Sequence, residues 1–336
     1  MSPSRTFTYL GPNIAALDVS MNGSELMADQ TSIRTWYFGS GFNGDRTVPS
    51  PVIEAVEGET VEVTLTSMMP HSVHFHGLDV DQANDGVPNT SGYVAQMSGP
   101  PGFGRVEGYT NLGSPFTYTF TAPHAGTYMY HCHIDTVLHL EMGMIGTVIV
   151  RPPGGSAIEA WAGGPTFDKE YIWHLHTYDS TWHLDGPQTS GSNTVRHRPD
   201  YFMINGRDGS NTLSDPTTAI TAAAGDRVLI RATNVGYQPA LVQLGGVEFE
   251  VIASDGRPLR SAIPATQQLI VPGERYDLLF SMPDGTDGVA TADYFDIRLA
   301  SILGTARTSI QASPGEDVFD DGFESGDTSA WSTTVE

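Results

Sequence analysis

From Ser32 onward the chain takes up the two-residue alternation of apolar and polar positions that marks half-buried strands. Val52-Ile-Glu-Ala-Val-Glu-Gly-Glu-Thr-Val-Glu-Val-Thr-Leu-Thr-Ser67 predicts two short strands split at Gly58, the second strictly alternating. Phe116–Thr121 repeats the pattern, and a further strand is predicted at Tyr128–His133, inside a segment that closes at Val150. Turn signals separate these runs: Pro49–Pro51, a Gly/Pro/Asn-rich loop from Asp81 to Gly104, and Pro123-His-Ala-Gly126. Residues 1–31 have no strong period and read as an N-terminal arm or irregular strand. Residues 152–165, rich in Gly and Pro, read as a linker. A second β-rich unit follows over residues 166–313, and the acidic, Gly-rich residues 314–336 read as a flexible tail. The pattern therefore predicts an all-β chain with one domain at residues 32–151 and a second at residues 166–313.

The two units repeat one another. Glu57-Gly-Glu-Thr-Val-Glu-Val-Thr-Leu-Thr-Ser67 matches Ala224-Gly-Asp-Arg-Val-Leu-Ile-Arg-Ala-Thr-Asn234, a tight Gly turn feeding a strand in each case. Aligning Gly77 with Gly245 sets His71, His74 and His76 against Pro239, Val242 and Leu244. Further along, Ile297, Arg298 and Leu299 stand where the first unit has His131, Cys132 and His133. The second unit shares the scaffold without its metal-binding donors.

Composition narrows the function. A net charge of −23 argues against nucleic-acid binding, which needs a basic surface, and suits solubility or attraction of cationic partners. No apolar run reaches the roughly 20 residues of a membrane helix, and the first residues carry no apolar signal-peptide core. With 39% hydrophobic residues, the chain can build proper cores. Its single cysteine, Cys132, excludes an internal disulfide.

That cysteine stands between His131 and His133, seven residues before His139 and twelve before Met144. A thiolate, two imidazoles and a weak thioether are the donor set of a blue (type 1) copper centre. His71 is the candidate for the second imidazole. On a strand, side chains alternate faces, so Cys132 points away from His131 and His133. The same parity separates His71 from His74 and His76. One face can therefore hold copper at His71, Cys132, His139 and Met144, with Met142 as a competing axial donor. The other face presents His74, His76, His131 and His133. His124 falls in a turn and reads as solvated. The remaining His-x-His pair, His174 and His176, lies on an early strand of the second unit with His183 and His197 nearby, and reads as outward-facing.

His71-Ser-Val-His-Phe-His-Gly77, Asp85-Gly-Val-Pro88, Thr127-Tyr-Met-Tyr-His-Cys-His-Ile-Asp135 and His139-Leu-Glu-Met-Gly-Met144 resemble a multicopper oxidase domain of the cupredoxin fold. Phe202-Met-Ile-Asn-Gly-Arg207, Gly246-Val-Glu-Phe-Glu-Val-Ile252 and Val271-Pro-Gly-Glu-Arg-Tyr-Asp277 resemble a later domain of that family. The resemblance covers roughly residues 32–313 and implies two tandem Greek-key sandwiches. It implies type 1 copper at His71, Cys132, His139 and Met144, the usual five-residue His-to-Met spacing favouring Met144 over Met142. Cys132, His131 and His133 would carry electrons to type 2/3 copper at His74, His76, His131 and His133. A small-molecule or metal-ion reductant would be oxidised and dioxygen reduced. Export to the periplasm or outside, and a homotrimer with an inter-subunit copper site, belong to the same expectation. The sequence departs from the family where a completing domain should supply two more His-x-His pairs, and in its seven-residue Cys-to-His interval. His174 and His176, or another chain, would have to complete the cluster. The alternatives are a two-copper enzyme resembling nitrite reductase and a non-enzymatic blue-copper electron carrier.

Overall fold

Val61, Val63 and Leu65 are fully buried, while Thr60 and Glu62 of the same strand face solvent. Tyr118 and Phe120 do the same in the strand Phe116–Thr121 that pairs with it. Alternation of this kind gives each sheet one apolar face, and two such faces stack into a sandwich. A computed structural model shows two sandwiches of this type. It describes residues 7–40, 47–88, 90–91, 93–94, 109–110, 114–184, 197–213 and 215–313. The expected tail at residues 314–336 and much of the loop between Asp81 and Gly104 lie outside the described residues.

In the first sandwich a four-stranded sheet has the order Ser32–Gly39, Ile14–Leu26, Thr60–Thr66, Phe116–Thr121. The facing five-stranded sheet runs Tyr9–Leu10, Val52–Val56, Ile145–Arg151, Gly126–His131, His74–His76. Between them Leu17, Phe38, Phe75, Tyr118, Tyr130 and Cys132 share one core. The stretch read from the sequence as an arm or irregular strand forms the strands Tyr9–Leu10 and Ile14–Leu26 here. Ile14–Leu26 pairs in parallel with Thr60–Thr66 and antiparallel with Ser32–Gly39. A register shift between Ser20 and Gly23 breaks its alternation, which hides the strand from a periodicity reading.

The second sandwich joins a seven-stranded sheet, containing Lys169–Tyr178, Arg227–Asn234 and Arg275–Ser281 side by side, to a five-stranded one. Its core holds Trp173, Ile230, Val242, Leu278 and Tyr294. Helix is nearly absent, and no helix among the described residues is long and apolar enough to cross a membrane.

The outer face of the five-stranded sheet of the first unit packs on the seven-stranded sheet of the second. Every residue of Gly126–His131 is buried. Tyr128 and Tyr130 point into their own core, and Met129 packs with Tyr178, Met203 and Val235 in a separate cluster. Polar groups cross this contact as well. The Arg231 guanidinium, fully buried, donates to Glu170 Oε1 at 2.6 Å, Thr127 Oγ1 at 2.9 Å and Asp277 Oδ2 at 3.2 Å. Arg151 links the same Glu170 at 2.7 Å to Glu54 at 2.6 Å. Buried charges persist only when paired in this way.

Candidate metal centres

The strand Gly126–His131 hands the chain to Cys132, whose backbone N–H donates to Met144 O at 3.2 Å. Cys132 Sγ lies 3.5 Å from His71 Nδ1 and 3.1 Å from His139 Nδ1, and all three residues are buried. An ion about 2.3 Å from a thiolate and about 2.0 Å from each imidazole would hold sulfur and nitrogen roughly 3.5 Å apart. The trio meets that requirement to within a few tenths of an ångström. Burial drives the His71 imidazole down to about 3, with His139 adding to the effect, and drives His139 down to about 4. Burial also pushes the Cys132 thiol up to about 12. Without metal all three donors are therefore neutral, and a soft cation would take the place of the thiol proton. Copper suits this donor set.

His139 does not sit on a strand. It lies on a short helix, α1 (Thr136–Glu141), entered through Asp135 in the left-handed conformation (φ 46°, ψ 56°). The helical turn brings His139 back over Cys132. It also accounts for the seven-residue interval, which a straight strand could not close. Met142 ends the helix, so it and Met144 do not share a strand face. Both are buried in the core that holds Cys132. Trp36 packs edge-on against His139, centroids 5.1 Å apart.

On the other side of the same peptide, His74, His76 and His131 place one ring nitrogen each within 4.8 Å of the others. Strand register does this: His131 pairs with His74, and Met129 with His76. The tautomers are set by neighbours. His131 Nδ1–H donates to Cys132 O at 3.0 Å, and His74 Nδ1–H donates to Asp85 O at 2.7 Å. The Nε2 lone pair of His74 is thereby left for a ligand, and that of His131 accepts from His76 Nδ1 at 3.3 Å, a bond an ion bound among the three rings would replace. Burial lowers His131 to about 3 and His76 to about 4, and lowers His133. His133 stays outside the three-donor group, its ring 5.2 Å from that of His74 and stacked at 5.9 Å on His131. The four imidazoles face a cavity of about 350 Å³, closed on the far side by Val235, Tyr237 and Gly273 of the second unit. A Cβ on Gly273 would lie 3.5 Å from His76 Nε2, so a glycine there keeps the approach open.

His174 and His176 are not outward-facing; they are 0% and 2% exposed. His174 Nδ1 is 2.6 Å from Thr233 Oγ1 and 3.3 Å from Thr147 Oγ1, in the contact between the two units. Neither residue belongs to either donor group. The repeat alignment holds at Val242 and Leu244, which are buried in the second core, but fails further on. Ile297 and Leu299 are 75% and 72% exposed, beyond the end of the strand Asp287–Asp296.

The sequence reading passed over Glu141, which is buried and meets His183 and His197, and over Arg231. Each carries a usable signal. Glu141 interrupts an otherwise apolar stretch beside His139, and Arg231 is a lone charge inside Val-Leu-Ile-Arg-Ala.

Residues 20–154 match a family model described as multicopper oxidase, and residues 172–300 match a second model with the same description. Laccase-1 of Cryptococcus neoformans var. neoformans serotype D is 27% identical over 267 residues, covering 72% of this chain and 38% of that protein. The copper-containing nitrite reductase of Neisseria gonorrhoeae is 28% identical over 262 residues, covering 73% of this chain and 55% of its own. Among solved structures, the blue copper oxidase of Nitrosomonas europaea superposes with a TM-score of 0.68 at 26% identity, over 89% of this chain and 85% of that one. The chain spans about two-fifths to just over half the length of the curated relatives it matches.

Proposed function

Because this chain belongs to the multicopper oxidase family, we propose that it takes single electrons from a small-molecule or metal-ion reductant at His71, Cys132 and His139. The electrons leave along the Cys132–His131 and Cys132–His133 peptides for the four-imidazole cavity, where dioxygen is reduced. Copper, when bound, supplies the one-electron couple at the first group and the oxygen chemistry at the second. One observation carries this reading. Cys132 Sγ faces two imidazole nitrogens at 3.5 and 3.1 Å, while its covalent neighbour His131 belongs to the second donor group.

The residues divide the work. Burial keeps water from the Cys132 sulfur and holds His71 and His139 as neutral donors. Met144, buried in the same core, would be the fourth donor in this reading. Cys132 O fixes the His131 tautomer and so aims its Nε2 into the cavity. The second-unit wall, Val235, Tyr237 and Gly273, offers no imidazole. Ligands on that side would come from a neighbouring subunit, in a homotrimer of an exported protein.

A second reading has one observation in its favour. His76 and His131 converge while His133 stands apart, which suits a single ion held by those two and a third histidine from a neighbour, as in a two-copper enzyme resembling nitrite reductase, although that family has an aspartate where His74 stands. The net charge of −23 opposes an anionic substrate.

Counting metal separates the possibilities: about four coppers per chain for the oxidase, about two for the nitrite reductase-like enzyme, and about one for an electron carrier. The copper-loaded protein should be blue, absorbing near ~600 nm through its Cys132 thiolate. Cys132→Ser should abolish that absorption together with reductant-driven oxygen uptake. Uptake surviving the change would show that electrons do not enter at this centre.

A further inference from the structure

α1 has only six residues, and its Asp135 N-cap makes no side-chain capping bond. A helix this short has too few internal hydrogen bonds to hold its own place. Its position over Cys132 must be set by what grips it from outside. Trp36 N–H donates to Met142 O at 2.7 Å from the first unit. Leu138 and Met142 pack into the first unit's core and Trp36 packs on His139, and further polar holds come from the second unit.

Glu141, the last residue of α1, is 2% exposed. Its Oε1 accepts the Asp179 N–H at 2.6 Å and lies 3.5 Å from His183 Nε2. Its Oε2 is 2.9 Å from His197 Nε2. The donor direction at His197 follows from its other partners. Thr177 Oγ1 donates to Gln238 Oε1 at 2.6 Å, which leaves Gln238 Nε2 to donate to His197 Nδ1 at 3.1 Å. His197 Nε2–H therefore donates to Glu141. His183 is anchored in turn, its Nδ1 donating to Arg34 O at 2.5 Å. One helical turn earlier, the Tyr237 hydroxyl donates to Val137 O at 2.5 Å. The second unit thus grips α1 at residues 137 and 141, and His139 stands midway between them.

We propose that Glu141 is a positioning residue of the Cys132 metal centre: held by His197 and the Asp179 amide, it fixes the helix that carries His139. The ligand geometry of the first unit is set in this way from the second. The inference rests on the reading of His71, Cys132 and His139 as copper ligands. A buried carboxylate is a good anchor because it cannot leave its donors without a large desolvation penalty. Supporting hydrogen bonds around a metal site typically govern affinity by roughly 10- to 100-fold.

The test uses the full chain, titrated with Cu²⁺ and separately with Co²⁺, a stand-in whose thiolate charge-transfer band reports ligand geometry. The wild-type protein comes first. A missing thiolate band there overturns the copper reading itself, and the positioning role with it. If the band is present, Glu141→Gln, which turns an acceptor oxygen into an amide facing the His197 donor, should shift or broaden it. It should also alter the copper EPR hyperfine coupling and weaken metal binding by about tenfold or more. His197→Gln and Tyr237→Phe should move the same signals less, and they keep the question answerable if Glu141→Gln does not fold. Thr127→Val, in the interface and bonded to Arg231 and Asp277 rather than to α1, should lower thermal stability and leave the band in place. Unchanged band, hyperfine coupling and affinity in folded Glu141→Gln, or in folded His197→Gln and Tyr237→Phe, would overturn the proposal while the copper reading stands. A Thr127→Val protein with the same spectral change would also overturn it, by showing that any loss of stability suffices.

Discussion

Two His-x-His pairs lie on strands of this protein, and they meet opposite fates. His74 and His76 open onto a cavity with His131 and His133, whereas His174 and His176 are sealed in the contact between the units. Spacing and local strand geometry are the same in both. The cross-strand partners differ. The neighbour of the first pair brings His131 alongside His74. The neighbours of the second bring Thr233 beside His174 and Met203 beside His176. An imidazole opposite an imidazole makes a donor cluster, whereas His174, opposite a hydroxyl, commits Nδ1 to Thr233 and keeps its Nε2 buried without a partner among the described residues. A two-residue motif offers a metal site only where its register partners are donors as well.

The largest expected effect breaks the first pair. His76→Asn should empty the four-imidazole cavity of copper and bring reductant-driven oxygen uptake to background, while the absorption from Cys132 persists. Metal analysis beside the visible spectrum checks both halves. A full copper count in this variant would separate His76 from the metal. Next in size is the polar contact that seals the second pair's surroundings. Arg231→Met leaves Glu170 and Asp277 without their shared buried partner, and burial already pushes the Asp277 carboxyl up. Unfolding by denaturant should show a loss of about 3–5 kcal/mol.

His174→Gln tests the second pair directly. It should cost about 1–3 kcal/mol, since the hydrogen bond to Thr233 is disturbed in a buried site, and leave copper content and colour unchanged. A drop in copper content would make the two pairs alike and undo the comparison. The smallest effect per residue is in pH. His71, His131 and His139 are held by burial at about 3, 3 and 4, below the ordinary 6.5. Below pH 6.5 the unfolded chain therefore binds more protons than the folded one. Stability of the metal-free protein is full above about 6.5 and falls as the pH drops toward the folded values. At pH 5.5 each of these imidazoles should cost about 1.4 kcal/mol, seen as a lower thermal midpoint than at pH 7.5. His71→Gln should remove one such increment from the difference.

Much of the candidate site was legible without coordinates. The parity that places Cys132 on one face and His131 on the other needs only the two-residue period of a strand. The cysteine, with histidines at fixed separations, specifies its chemistry by donor type alone. Illegible were α1, because six residues are too few to show a helical period inside a β-rich pattern, and the strand Ile14–Leu26, because its bulge breaks the alternation. Glu141 stands out as a charge in an apolar stretch, but nothing local names its neighbours His183 and His197, which lie 42 and 56 positions away along the chain.

The sequence by itself determined the all-β class, the doubled scaffold and the soft donor set, because those depend on residue type and on spacing within single strands. Only the tertiary structure decided that His139 arrives on a helix, that His174 is sealed beside Thr233, and that the second unit closes the cavity and grips α1. Each of those outcomes depends on which distant segment lies across the sheet or across the contact between the units. Such pairings are fixed by packing two sandwiches together, and no local pattern encodes them.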